Sequence, residues 1–197
     1  MRHPGTTTLL LTLLLVAIGS ARAARFEIQP KSDSEIVFTS KALWEKFDGK
    51  TKEVSGFVEV DPGNLRGDVE LEVVVDLASF DTGMKKRNQH MRENHLETDE
   101  FPQAVFRGGK VLRAEPASLA PGDHGTLVLV GNLDLHGVKK DYEVTLEVER
   151  RTDGSLRIRG EFPVMLPDHQ IERPQKLIVK LAEKQDVKID LLARPQP

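Results

Sequence analysis

Cysteine is absent from the 197 residues, which excludes disulfides, thiolate metal sites and a thiol nucleophile. Aromatic residues make up only 5%, with one Trp and one Tyr, so a core built on large rings is also excluded. The formal charge is −3, too small and of the wrong sign for a surface that holds nucleic acid. No serine sits in a GxSxG elbow, and the carboxylates fall chiefly on the polar side of alternating segments, where they keep a sheet soluble. The longest apolar stretch, LLLTLLLVAI from Leu9 to Ile18, is shorter than the roughly 20 residues of a membrane-spanning helix. What is present suits one domain with an ordinary core, since 39% of the chain is hydrophobic.

That apolar stretch has a different reading. Arg2 and His3 precede it and Ala21-Arg22-Ala23 follows it, the order of basic start, apolar centre and small-x-small cleavage site that marks an export signal. Residues 1–23 are therefore expected to be removed, with residues 24–197 forming the mature domain. The expected location is a Gram-negative periplasm, with the extracellular space as second choice and no stable membrane insertion.

The mature chain alternates. Ile36 and Phe38 share one face of an early segment, and Gly56, Val58 and Val60 share one face of the next. Val69, Leu71, Val73, Val75 and Leu77 oppose Glu70, Glu72 and Asp76, and Leu127, Leu129, Gly131, Leu133 and Leu135 repeat the pattern. Tyr142, Val144, Leu146 and Val148 do so again, followed by Leu156, Ile158, Gly160, Phe162 and Val164. Two last strands are expected to carry Leu177, Val179 and Leu181, then Val187, Ile189 and Leu191. Around Gly108-Gly109 a bulge or tight turn is expected, and the Pro-, Gly- and Ala-rich stretch from Ala114 to Gly125 reads as a surface loop. Leu43, Trp44 and Phe47 read as a helical turn or covering loop ended by Asp48-Gly49. About eight strands with one apolar and one charged face predict an all-β, antiparallel, lipocalin-like barrel. The inward positions are mostly Val, Leu and Gly, which leaves room for a cavity.

One stretch breaks the alternation. Ser79 to Phe106 is crowded with charges and amides around Met84, Met91 and Leu96, and is expected to be a polar helical insert over the sheet, ended by Pro102 at about Phe101. Its His90, His95, Glu97, Asp99 and Glu100 raise a metal site. A spacing of five on a helix, however, turns the second imidazole roughly 140° from the first, so the two histidines cannot chelate as an i, i+4 pair unless the helix breaks near Asn94. The expectation is a solvated polar helix with no metal, no cofactor and no catalytic residue. Met84 and Met91 could seat the helix on the barrel, act as an adaptable apolar gate, or both. His136, in the turn after Leu135, reads as a turn residue with a satisfied ring.

Four stretches carry a resemblance: Phe47 to Pro62, Ala78 to Phe106, Gly131 to Val148, and Pro174 to Leu191. In this order and spacing the chain resembles the YceI-like family, bacterial periplasmic proteins with a lipocalin-like barrel. The resemblance implies non-enzymatic binding, transport or sequestration of a polyisoprenoid or similar long-chain, fatty-acid-like lipid, with homodimers among the relatives. It implies lumen contacts from Phe38, Val58, Val60, Leu71, Val73, Val75, Phe106, Leu129, Leu133, Val144, Leu146, Ile158, Phe162 and Val179. It places Met84, Arg87, Met91, His95 and Phe101 at the mouth. LPDHQIERP, from Leu166 to Pro174, departs from the Arg-Ser-Asp-Phe-Gly-like stretch of other members, which leaves the head-group contacts open. The alternative is a metal-binding or enzymatic stress protein that uses the histidine-containing insert.

Overall fold

Eight strand positions close into one antiparallel barrel. The computed structural model describes residues 23–41, 45–173, 175–176 and 179–196; the expected export signal lies outside them, apart from residue 23. Strands β1 (Ala24–Ile28) and β2 (Glu35–Lys41) share one position in the ring, and β3 (Lys46–Thr51) and β4 (Val54–Val60) share the next. Then come β5 (Glu70–Asp76), β6 (Gln103–Glu115), β7 (His124–Leu135), β8 (Val138–Arg150) and β9 (Leu156–Met165). A two-strand hairpin of β10 (Gln175–Lys176) and β11 (Val179–Lys180) stands apart from the barrel sheet, and β12 (Lys184–Pro195) is the last barrel strand. β12 pairs with β9 on one side and with β1 and β2 on the other, so the sheet closes on itself. Closure removes the unpaired edges that an open sheet must otherwise protect.

Where the alternation is clean, the strands lie as expected. β5, β7, β8 and β9 each turn their aliphatic set inward, and Leu71, Leu129, Leu146 and Ile158 are all buried. The bulge expected at Gly108-Gly109 is present, as the β6–β7 register shifts between Gly108 and Lys110 and again between Val111 and Arg113.

Four expectations need correction. Phe47, Asp48 and Gly49 belong to strand β3, paired with Ser40, Thr39 and Phe38 of β2; Leu43 and Trp44 lie outside the described residues. The Ala114 to Gly125 loop is shorter than expected, because β6 keeps Ala114 and Glu115 and β7 starts at His124. Its middle is not a surface feature either. Leu119 is buried at one end of the barrel, tied by its N–H to the Pro62 carbonyl at 2.7 Å, while the Leu65 N–H donates to Ala117 at 2.8 Å. The last two strands are one long barrel strand and the detached hairpin, with Leu177 outside the described residues. The insert's helix, α1 (Lys85–Asn94), ends well before Phe101. Turn hydrogen bonds carry the chain onward, Leu96 N–H to Met91 and Phe101 N–H to Glu97. Among the described residues no helix is long and apolar enough to cross a membrane.

Two ends of different character result. The turns between β4 and β5 and between β6 and β7, with Leu65 and Leu119, seal one end. The other end receives α1, the start of β3, and a 3₁₀ turn from Leu166 to His169.

Candidate functional site

Inside the barrel is a cavity of about 670 Å³, within the range of sites that enclose a small molecule. Its wall is almost wholly aliphatic and aromatic, drawn from the inward faces of β2, β4 to β9 and β12. Phe38, Val58, Val60, Leu71, Val73, Val75, Phe106, Leu129, Leu133, Val144, Leu146, Ile158 and Phe162 line it, as do Met91 of α1 and Met84 just before the helix. Val179 sits in the detached hairpin. Phe101 lies elsewhere: its ring packs on His136, with centroids 4.4 Å apart. Turn formation explains that placement, because Gly137 has a φ of +73° and its missing Cβ leaves the space that the Phe101 ring occupies.

Several wall residues were not among those expected in the lumen. Phe47, Phe80, Leu65, Leu96, Leu166 and Ile171 line the cavity from loops, helix ends or a strand without alternation. The cavity opens at the α1 end, where exposed Met84, Lys86 and Glu45 share the lining.

The helix at that opening is poorly suited to stand alone. Lys85, Lys86 and Arg87 fill its first turn, no acidic residue stands in that turn, and Met84 offers no side-chain cap. Cations at a helix N-terminus oppose the macrodipole. A polar knot replaces the missing cap. Asn88 Oδ1 accepts from the Thr82 N–H at 2.9 Å and from its hydroxyl at 2.6 Å, while Asn88 Nδ2 donates to Asp81 at 2.7 Å. Arg87 donates to the Thr82 hydroxyl and carbonyl and to Glu45, with its guanidinium 3.9 Å from the centre of the Phe47 ring. The Asn88 amide, joined by the Gly83 N–H, holds the Asp81 carboxyl below the usual range, so it stays ionised. Asn88→Ala removes the acceptor of the N–H and of the hydroxyl proton of buried Thr82, while Arg87 still donates to the hydroxyl oxygen, a cost of about 1–3 kcal/mol. The expected result is faster amide hydrogen exchange through Lys85–Asn94 with the strands protected as before.

The histidines are used separately. His95 donates from Nδ1 to the Glu172 carbonyl at 2.9 Å and lines the cavity. Burial holds its pKa below the ordinary imidazole value of about 6.5, with the Glu172 carbonyl opposing and His90 assisting. The folded chain therefore resists a proton that the unfolded chain accepts. Stability from this group is full above pH 6.5 and is lost as pH falls below it. In pH-dependent denaturation, His95→Asn is expected to flatten that acid limb.

His136 has both ring nitrogens facing acceptors, the His169 carbonyl at 3.1 Å and Glu97 Oε2 at 2.8 Å. His169, fully buried, donates from Nδ1 to the Val138 carbonyl at 3.1 Å and accepts the Tyr142 hydroxyl at Nε2, 2.9 Å away. Burial, with Asp168 nearby, raises the Tyr142 phenol above its ordinary range, so it keeps the proton that it donates. These contacts bind the 3₁₀ turn to β8 and the β7–β8 turn. Among the described residues no group of three or more His, Asp or Glu side chains is placed to hold a metal ion.

Residues 26–193 match the YceI-like domain model. A UPF0312 protein of Vibrio parahaemolyticus is 30% identical over 132 residues, 66% of this chain and 64% of that protein, so the chain spans just under two thirds of its length. A UPF0312 protein of Vibrio campbellii is 30% identical over 148 residues, covering 72% of each. Among solved structures, a polyisoprenoid-binding domain from Saccharophagus degradans superposes with a TM-score of 0.70 at 20% identity, over 89% of this chain and 100% of that one. Burkholderia cenocepacia BcnA gives 0.66 at 21% identity, over 81% and 95%. At such identities the two structures establish likeness of fold. With an aliphatic barrel sealed at one end, a helix at its open end and the domain match over residues 26–193, the chain belongs to the YceI-like family.

Proposed function

We propose that this protein is an exported, non-enzymatic carrier that takes the chain of a polyisoprenoid or similar long-chain amphiphile into its barrel. The observation that carries this reading is the cavity of about 670 Å³ with an almost wholly apolar wall. At a liquid-water share of about 30 Å³ per molecule, it holds on the order of 20 small groups. At roughly 0.8 kcal/mol per buried methylene, an oily chain of that size gains about 16 kcal/mol on leaving water. That exceeds most of the ordering cost of association, about 4–15 kcal/mol. A filled globular core of the same composition would contain no such space. The resemblance of residues 1–23 to an export signal supports a periplasmic place of work, and the fold shared with a polyisoprenoid-binding domain supports the ligand class.

The test is native mass spectrometry of the full chain after gentle extraction from its host, followed by lipid extraction. The expected result is a population carrying one long-chain lipid per barrel. A protein that is lipid-free in every preparation, and that takes up no chain when offered one, overturns the reading.

A further inference from the structure

Six polar residues interrupt the apolar wall: Glu45, Lys86, Arg87, His90, His95 and Gln185. Four are already engaged. Arg87 and Glu45 bond each other at 2.7 Å, and Arg87 also holds Thr82. Gln185 donates to the Ala182 carbonyl at 2.7 Å, and His95 donates to the Glu172 carbonyl. Lys86 and His90 remain, and neither has a side-chain hydrogen bond or ion pair to any group among the described residues. They stand four apart on α1, one above the other on the face turned to the cavity.

The charge balance at the opening is one-sided. Glu45 is the single carboxylate on the described cavity wall, and Arg87 already neutralises it. Lys86 is left as an uncompensated ammonium in a chain whose formal charge is −3. Its exposed ammonium stands at the rim of an apolar space, so its attraction for an opposite charge is screened by salt. The first turn of α1 adds to this, since Lys85, Lys86 and Arg87 repel the positive helix end and no acid there relieves them. A hydroxyl head would leave the ammonium without a counter-charge. A carboxylate or phosphate would supply one and accept from the imidazole as well.

We propose that the amphiphile bound by this barrel carries an anionic head, a carboxylate or a phosphate, seated between Lys86 and His90 while its chain fills the lumen. This rests on the carrier reading and narrows it to one class of lipid.

The experiment uses the full chain, stripped of lipid, and three probes with one chain and different heads: dodecanoate, dodecyl phosphate and dodecanol. Competition against a fluorescent lipid at pH 7 gives the three affinities. Anionic probes are expected to bind about tenfold more tightly than dodecanol at low salt, as charge-assisted hydrogen bonds outdo neutral ones. That preference is expected to shrink at high salt. In Lys86→Gln/His90→Gln the ratio of anionic to neutral affinity is expected to fall to within about twofold of one. Preference for dodecanoate assigns a fatty-acid-like ligand and preference for dodecyl phosphate a lipid phosphate; either upholds the proposal. Equal binding of all three probes, or a ratio unmoved in the double variant, overturns it and leaves the carrier reading standing. If none of the three binds, the carrier reading falls and the proposal falls with it.

Discussion

A Val73→Trp/Val144→Trp double variant is expected to fold and to lose lipid uptake by a hundredfold or more. Val73 on β5 and Val144 on β8 both line the lumen. Their strands lie three apart around a ring of eight, so the two indoles enter from different sides. Adding such bulk to a filled core forces strained rotamers and costs about 1–3 kcal/mol per site. A barrel with about 670 Å³ of internal space offers the rings a place instead. They would then gain apolar contact at roughly 25 cal/mol per Å² of surface covered. Two readings decide the matter. Native mass spectrometry is expected to show the variant lipid-free, and its thermal midpoint is expected to stay at or above that of the unsubstituted chain. A variant that still carries lipid, or that melts several degrees lower because the interior had no room, removes the basis for the carrier reading.

The sequence shows which way side chains face but not whether the space between them is filled. Val69 to Leu77 and Leu127 to Leu135 alternate so regularly that their inward sets could be named at once, and they line the lumen or its ends. β3 escaped because its KFDGKT has one apolar side chain and no alternation. The reason lies on the neighbouring strand. The Phe38 ring of β2 covers Gly49, where a Cβ would come within 2.2 Å of it, so this inward position is filled by a side chain from elsewhere in the chain. Phe106 covers Gly131 in the same way. A glycine read alone looks like a break, whereas paired with the ring across the sheet it is part of the wall.

Composition misled at the sealed end and at the 3₁₀ turn. Leu119 stands among Pro, Ala, Ser and Gly, the make-up of a surface loop, yet it plugs the barrel. His169 stands in the polar stretch LPDHQIERP, and burial there is tolerable only because the Val138 carbonyl and the Tyr142 hydroxyl occupy both ring nitrogens. Tyr142 was legible as an inward residue, but its partner, 27 positions away, was not. The same long-range effect removed Phe101 from the expected mouth, since Gly137 and His136 gave it a seat outside the lumen.

The largest loss of stability from a single small substitution is expected at Gly56→Val. Gly56 has a φ of +140°, a region that side-chain-bearing residues avoid, and an added Cβ would lie 1.9 Å from the Glu72 carbonyl oxygen and 3.0 Å from Val73 Cα. Neither obstacle is a side chain that can swing aside. β4 cannot retreat, because Gly56 is paired with Val73 of β5 on one side and with Ile28 of β1 on the other. Strain and backbone collision together are expected to cost more than about 3 kcal/mol. At roughly 2–4 °C per kcal/mol for a chain of this size, the thermal midpoint falls by about 10 °C. Gly83→Ala separates the two causes: φ there is +79°, but nothing lies within 4 Å of the added carbon. That variant bears backbone strain without collision, about 1 kcal/mol, and a shift of a few degrees. If Gly56→Val melted no lower than Gly83→Ala, β4 would not approach β5 as closely as the register requires. The inward aim of Val58 and Val60, and the wall that they contribute to the lumen, would then have to be redrawn.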